Sequence, residues 1–234
     1  MELTWMFLLL ASFCSCQKEL VRYEQGDVQV RIEQGEEWLH DFPLFLGIKL
    51  KNPPQMAVWQ EDLEGNYLST IYVTHKAATQ SWQGAGGNRR KESLPHWAYA
   101  HGVQYKDGLY LPTKDKPLTD GISGATPRGS FEVKLAPANL LKQFVIKVEI
   151  NHSADFNESY PKTAKEGDAN YSGESGQPAL IYSAEVDISS GRQSYEAVLT
   201  GHSNPDGNSG DIYEDLSGVT TAVHIVKRIT INIQ

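Results

Sequence analysis

The chain has 234 residues and a formal net charge of −8, from 21 Lys and Arg against 29 Asp and Glu. That excess of acid argues against nucleic acid and against an anionic lipid surface as partners. The two cysteines, Cys14 and Cys16, both lie near the start, so the rest of the chain offers no thiol pair for a disulfide.

Residues 1–15 carry no Lys or Arg and hold an apolar run from Trp5 to Ala11, followed by small or polar residues before Cys16. The run is too short for a spanning helix, which needs about 20 residues. It reads as the apolar centre of a secretory signal. Phe13-Cys14-Ser15-Cys16 resembles the lipobox of bacterial lipoproteins. That resemblance implies removal of residues 1–15, acylation of Cys16, and an extracytosolic, membrane-anchored product in the periplasm or on the outer membrane. Residues 16–25 are then the lipidated N-terminus and a polar tether, and residues 26–234 form one domain.

Alternation with a period of two, bounded by Gly, Pro, Asn and Asp, recurs along that domain and predicts strands. Val28, Val30 and Ile32 mark the first. Leu44, Leu46, Ile48 and Leu50 mark a second, ended by Asn52-Pro53-Pro54. Gln55 to Asp62 and Tyr67 to Thr74 flank Glu64-Gly65-Asn66, which has the composition of a hairpin turn. Phe131, Val133 and Leu135 follow, after which a short helical turn is open over Ala136 to Gln143. Then come Phe144 to Ile150 and Leu180 to Val186, and the chain ends on a long alternating strand from Val223 to Ile233 with Lys227 in register. The pattern predicts an all-β, antiparallel, sandwich-like single domain. Two stretches read as long loops: Gln80 to Ala125 and Ser153 to Pro178. Loops of that length inside a compact domain are often functional.

The first of these loops ends on Asp120-Gly121-Ile122-Ser123-Gly124-Ala125-Thr126. The small side chains ahead of Thr126 present its hydroxyl on a thin, accessible segment, and Pro127 biases Thr126 toward extended backbone. Such a hydroxyl is a feasible nucleophile, but with no base beside it in sequence it needs an outside catalyst. The pattern D-x-x-S-G-A-T resembles the acceptor motif of bacterial flavin transferases, which join FMN through its phosphate to the Thr. The resemblance implies covalent FMN on Thr126, with Asp120, Ser123, Gly124 and Ala125 completing the recognised sequence, and with the chemistry belonging to the transferase, which uses FAD and a divalent metal.

Three wider stretches, Lys51 to Trp59 with Glu61-Asp62, Ser123 to Pro127, and Asp211 to Ala222, are similar to a bacterial periplasmic family known as domain of unknown function 2271. Members of that family occur with flavin transferases and membrane reductases. The resemblance therefore implies an extracytosolic electron carrier whose partners are a flavin transferase and a membrane reductase or other redox protein. Trp82, Trp97, Tyr99, His101, Tyr105 and Tyr110 precede the motif and are candidates for a stacking platform under the flavin ring, although core or loop packing is the simpler role for each.

Other constellations point less far. His96 and His101, with His75, His152, His202 and His224, match no metal-site spacing, and no metal is expected. Asn204 to Asp211 holds oxygen ligands at short intervals without the calcium-loop spacing, and reads as a hairpin loop. Arg89-Arg90-Lys91 reads as a solvated loop. No nucleophile elbow, Walker loop or dinucleotide fingerprint is present, so an electron-transfer protein is expected ahead of a stand-alone enzyme. The alternative is a non-enzymatic periplasmic or surface binding module that contacts carbohydrate or peptide through exposed aromatics.

Overall fold

The computed structural model describes residues 28–43, 46, 48–82, 89–113, 115–118, 121–135 and 141–234. Cys16, the tether, Asp120 and most of the possible helical turn after Leu135 lie outside the described residues.

Two sheets face one another. The smaller contains β1 (Val28–Gln34), β7 (Phe131–Leu135), β10 (Ser194–Glu196) and β13 (Val226–Ile233), in the order β10-β13-β1-β7. The larger contains β4 (Gln55–Glu61), β5 (Tyr67–Thr74), β6 (Ile122–Gly124), β8 (Gln143–Asn151), β9 (Leu180–Asp187), β11 (Val198–Ser203) and β12 (Ile212–Tyr213), in the order β12-β11-β9-β8-β4-β5-β6. The alternating residues do what their period dictates. Val28, Val30 and Ile32 from one sheet and Phe144, Ile146, Val148 and Ile150 from the other are all fully buried in one shared core. The expected all-β sandwich is the observed architecture.

β4 departs from simple alternation because all seven of its residues are buried. Met56 and Val58 belong to the sandwich core. Ala57 and Trp59 belong to a second cluster, on the opposite face, with α1 (His75–Thr79) and α2 (Pro95–His101). A strand covered on both faces reads as a continuous apolar run. The larger sheet is thus the middle layer, and the long loop before Thr126 supplies its second cover.

Several expectations need correction. The stretch from Gln80 to Ala125 holds α2 and β6, so it is not one loop. β6 pairs in parallel with β5, against the antiparallel rule that holds elsewhere in both sheets. Leu46, Ile48 and Leu50 do not form one buried strand. They lie 90, 54 and 50% exposed on a separate hairpin of β2 (His40–Pro43) and β3 (Lys49–Asn52). This hairpin pairs only with itself, so its alternation has no second layer to face. The last strand begins at Val226, since residues 221–224 form a 3-10 turn. There the register skips Lys227, with Glu33 opposite Arg228 and Gln34 opposite Val226. That bulge explains why Val226 and Ile229, three apart, are both buried.

Candidate functional site

β5 and β6 run side by side with Val73 opposite Ser123 and Thr74 opposite Gly124. Past this pairing β5 turns into α1 at His75, while the other chain continues as Ala125-Thr126-Pro127. The close approach depends on Gly121, where a Cβ would stand 2.7 Å from Thr70 Cγ2. Two aromatic side chains then hold the segment by its carbonyls. The Tyr72 hydroxyl donates to Ala125 O at 3.0 Å and Gly124 O at 3.4 Å. Trp38 Nε1, from a fully buried ring, donates to Pro127 O at 3.0 Å. Pro127 is itself buried and Thr126 half-buried, so the backbone is fixed on either side of the hydroxyl-bearing residue.

Thr126, Ala125 and Gly124 open onto a cavity of about 360 Å³, shared with Asn52, Pro53, Gln55, His75, Lys76 and Ser153. This volume lies within the range of small-molecule sites, about 300–1,000 Å³. Among the described residues none of its lining side chains is a carboxylate, and Lys76 supplies a cation, in a chain whose overall charge is strongly negative. Gln55 contributes a buried amide oxygen with no hydrogen-bond partner among the described residues. A cationic, acid-free lining with an orphaned acceptor fits an anionic ligand that also carries hydrogen-bond donors, as FMN does.

Of the motif residues, Gly124, Ala125 and Thr126 meet at the cavity, and Ser123 sits exposed on β6 without lining it. Asn52, Pro53 and Gln55 come from another of the stretches that suggested a family likeness, so two segments about seventy residues apart converge here. Sequence reasoning missed Tyr72, Trp38, His75, Lys76 and Ser153. The first four lie in or beside strands whose signal is generic; the pairing of β5 with β6 brings Tyr72, His75 and Lys76 to Thr126, and Trp38 reaches Pro127 from the connection between β1 and β2.

The proposed aromatic platform is elsewhere, since none of its six members lines the cavity. Trp97 is buried in the second cluster and donates through Nε1 to Thr70 Oγ1 at 3.0 Å. Tyr99 packs on Tyr110 at 4.4 Å between ring centroids, and His101 meets Tyr67 edge-on. Trp82 lies under the Arg90 guanidinium at 4.5 Å, and Tyr105 faces Arg89. These rings hold α2 and its flanking segments onto the sheet.

Arg90 also corrects the reading of a solvated basic cluster, being only 7% exposed. It donates to Glu92 at 3.2 Å, Ser153 at 2.7 Å and Ser175 at 3.1 Å. Glu92 in turn accepts from Glu174 N at 3.0 Å. This node ties the segment before α2 to the loop over 153–178, whose ends meet at the Asp155–Gly176 bridge.

A further polar group sits beneath α2. The Glu149 carboxylate accepts from the backbone N–H groups of His96 at 3.2 Å and Trp97 at 2.8 Å, capping a helix that has no side-chain cap of its own. Burial pushes Glu149 up to about 8, against the opposing pull of the Trp97 and His96 N–H donors. Burial likewise holds His152 down to about 4, its Nε2 lying 2.8 Å from Glu37 O. The run over 204–211 connects β11 to β12 in a hairpin, as its composition suggests. A second cavity, about 520 Å³, lies on the outer face of the smaller sheet. Its guanidinium groups are already engaged, Arg31 with Glu132, Arg228 with Glu33, and Arg192 with Ser194 O.

No helix among the described residues is long and apolar enough to cross a membrane. Comparison of the chain with protein-family models, with curated proteins and with solved structures finds no match in any of the three.

Proposed function

We propose that this protein is an extracytosolic electron carrier, anchored to a membrane through acylated Cys16 and bearing FMN on Thr126. The observation that carries the reading is the placement of Thr126: a half-buried hydroxyl on a segment pinned by Tyr72 and Trp38, at the mouth of an acid-free cavity. The attachment needs no catalytic group from this chain. In the transferase, Thr126 Oγ forms a bond to the FMN-side phosphorus of FAD, the pyrophosphate bond breaks, AMP leaves, and the hydroxyl proton passes to a base of the transferase.

Once attached, the flavin supplies one- and two-electron chemistry, while the protein supplies position and electrostatics. Lys76 sets a positive charge beside the phosphodiester, and Ala125 and Gly124 leave room for it because their side chains are small or absent. Anchoring through Cys16 confines the carrier near a membrane reductase or other redox donor, and the acidic chain does not select nucleic acid.

Co-export with a flavin transferase tests the reading. Denatured wild-type protein is expected to fluoresce as a flavin after gel separation, and Thr126→Ala is expected to be dark. A dark wild type, beside a known acceptor that fluoresces, contradicts the proposal and leaves a non-enzymatic binding module as the working description.

A further inference from the structure

Gln55 opens β4 on the face that carries Ala57 and Trp59, and its side chain is only 6% exposed. Gln55 lines the Thr126 cavity, and its Oε1, closed off from solvent, has no hydrogen-bond partner among the described residues. Directly across the sheet, Asn151 donates its Nδ2 to Gln177 O at 3.0 Å, so that amide is turned to another acceptor. A buried acceptor left unpaired destabilises a fold, and an apolar side chain of the same size removes that cost. Stability by itself therefore does not favour glutamine at this position, whereas a ligand carrying a donor does.

We infer that Gln55 docks the flavin carried by Thr126, its side chain turning so that Oε1 accepts a hydrogen bond from the ring imide N–H or a ribityl hydroxyl. The inference rests on the flavin reading above and goes beyond it. The cofactor is held in the cavity between β4, α1 and the Gly124 to Thr126 segment, where it is shielded from solvent. Gln55 acts as a positioning residue, and attachment at Thr126 does not depend on it. Ser153 and Asn52, at the rim of the same cavity, offer further hydrogen-bonding groups.

The test compares wild type with Gln55→Leu, both co-exported with a flavin transferase and both checked for flavin occupancy by intact mass. Iodide quenching of the flavin fluorescence reads shielding. The wild-type flavin is expected to be several-fold less accessible to iodide than in the same protein unfolded in urea. Gln55→Leu is expected to lose most of that protection at full occupancy, while its unmodified form melts at the same temperature as wild type or higher. A wild-type flavin as accessible as in the unfolded chain overturns the inference, as does a Gln55→Leu protein that keeps the protection. A lower melting temperature for unmodified Gln55→Leu also overturns it, because Gln55 is then structural. Absence of flavin from the wild type removes the underlying reading and this one with it, and intact mass separates that outcome from the others.

Discussion

Thr126 owes its setting to hydrogen bonds from two aromatic side chains that no local pattern announces. Tyr72 lies on a strand read correctly from its alternation, yet nothing in that alternation says its hydroxyl reaches Ala125 O at 3.0 Å. Removing that hydroxyl in Tyr72→Phe leaves the carbonyls of Gly124 and Ala125 without this donor and is expected to cost about 1–2 kcal/mol. The same substitution loosens the segment, so flavin incorporation is expected to slow in a timed co-export experiment, with Thr126 itself unchanged. Glu149 makes a different prediction, through pH. Its pKa rises from 4.5 to about 8 on folding, so the folded state holds more protons than the unfolded one between those values, and stability falls as pH rises through that window. His152 works in the opposite sense, because its folded value of about 4 lies below 6.5 and its contribution is lost as pH falls from 6.5 toward 4. Above about pH 7 His152 is neutral in both states, and Glu149 dominates. Unfolding free energies from urea titrations are expected to drop between pH 7 and 8, by at most about 1.4 kcal/mol per pH unit, and Glu149→Gln is expected to flatten that slope.

At the scale of elements, the strands whose alternating side chains face the shared core were readable, and the short or two-faced ones were not. Val28 to Ile32 and Phe144 to Ile150 each face a single core, so period two survives in the sequence. β6 is three residues long and is held by pairing with β5 and by the absence of a side chain at Gly121, a long-range cause. α2 has no acidic first turn and no side-chain cap of its own; Pro95 marks its start locally, but the cap is Glu149 from β8, 52 residues away in sequence. The loop over 153–178 lacks a periodic signal because its order comes from non-periodic contacts, Arg90 with Ser153 and Ser175, Gln177 with Thr220, and Asn157 with Gly218. Arg90→Ala leaves Glu92 buried without its ion-pair partner, and is expected to destabilise by about 3–5 kcal/mol. Limited proteolysis should then cut within 153–178 at protease levels that leave the wild type intact. Unchanged resistance contradicts the role assigned to that node.

For the molecule as a whole, one core joins both sheets, with Val28, Ile231 and Phe131 packed in the same cluster as Met56, Phe144 and Leu180. Equilibrium unfolding is therefore expected to be a single transition, with far-UV circular dichroism and tryptophan fluorescence coincident in urea. Two separated transitions contradict a shared core. Fold class was readable from composition and alternation, and a seven-residue motif singled out the hydroxyl of Thr126 for test. The cavity beside it was not, because Gln55, Lys76 and Thr126 are distant in sequence and meet only after β4, β5 and β6 have paired. The central claim concerns that hydroxyl, and intact mass with peptide fragmentation tests it most directly, on wild type, Thr126→Ala and Ser123→Ala co-exported with a transferase active on a known acceptor. The expected result is one FMN unit on wild type, located at Thr126, a lower occupancy at Thr126 on Ser123→Ala, whose recognised sequence is broken, and none on Thr126→Ala. An unmodified wild type, or FMN located at another residue, contradicts it.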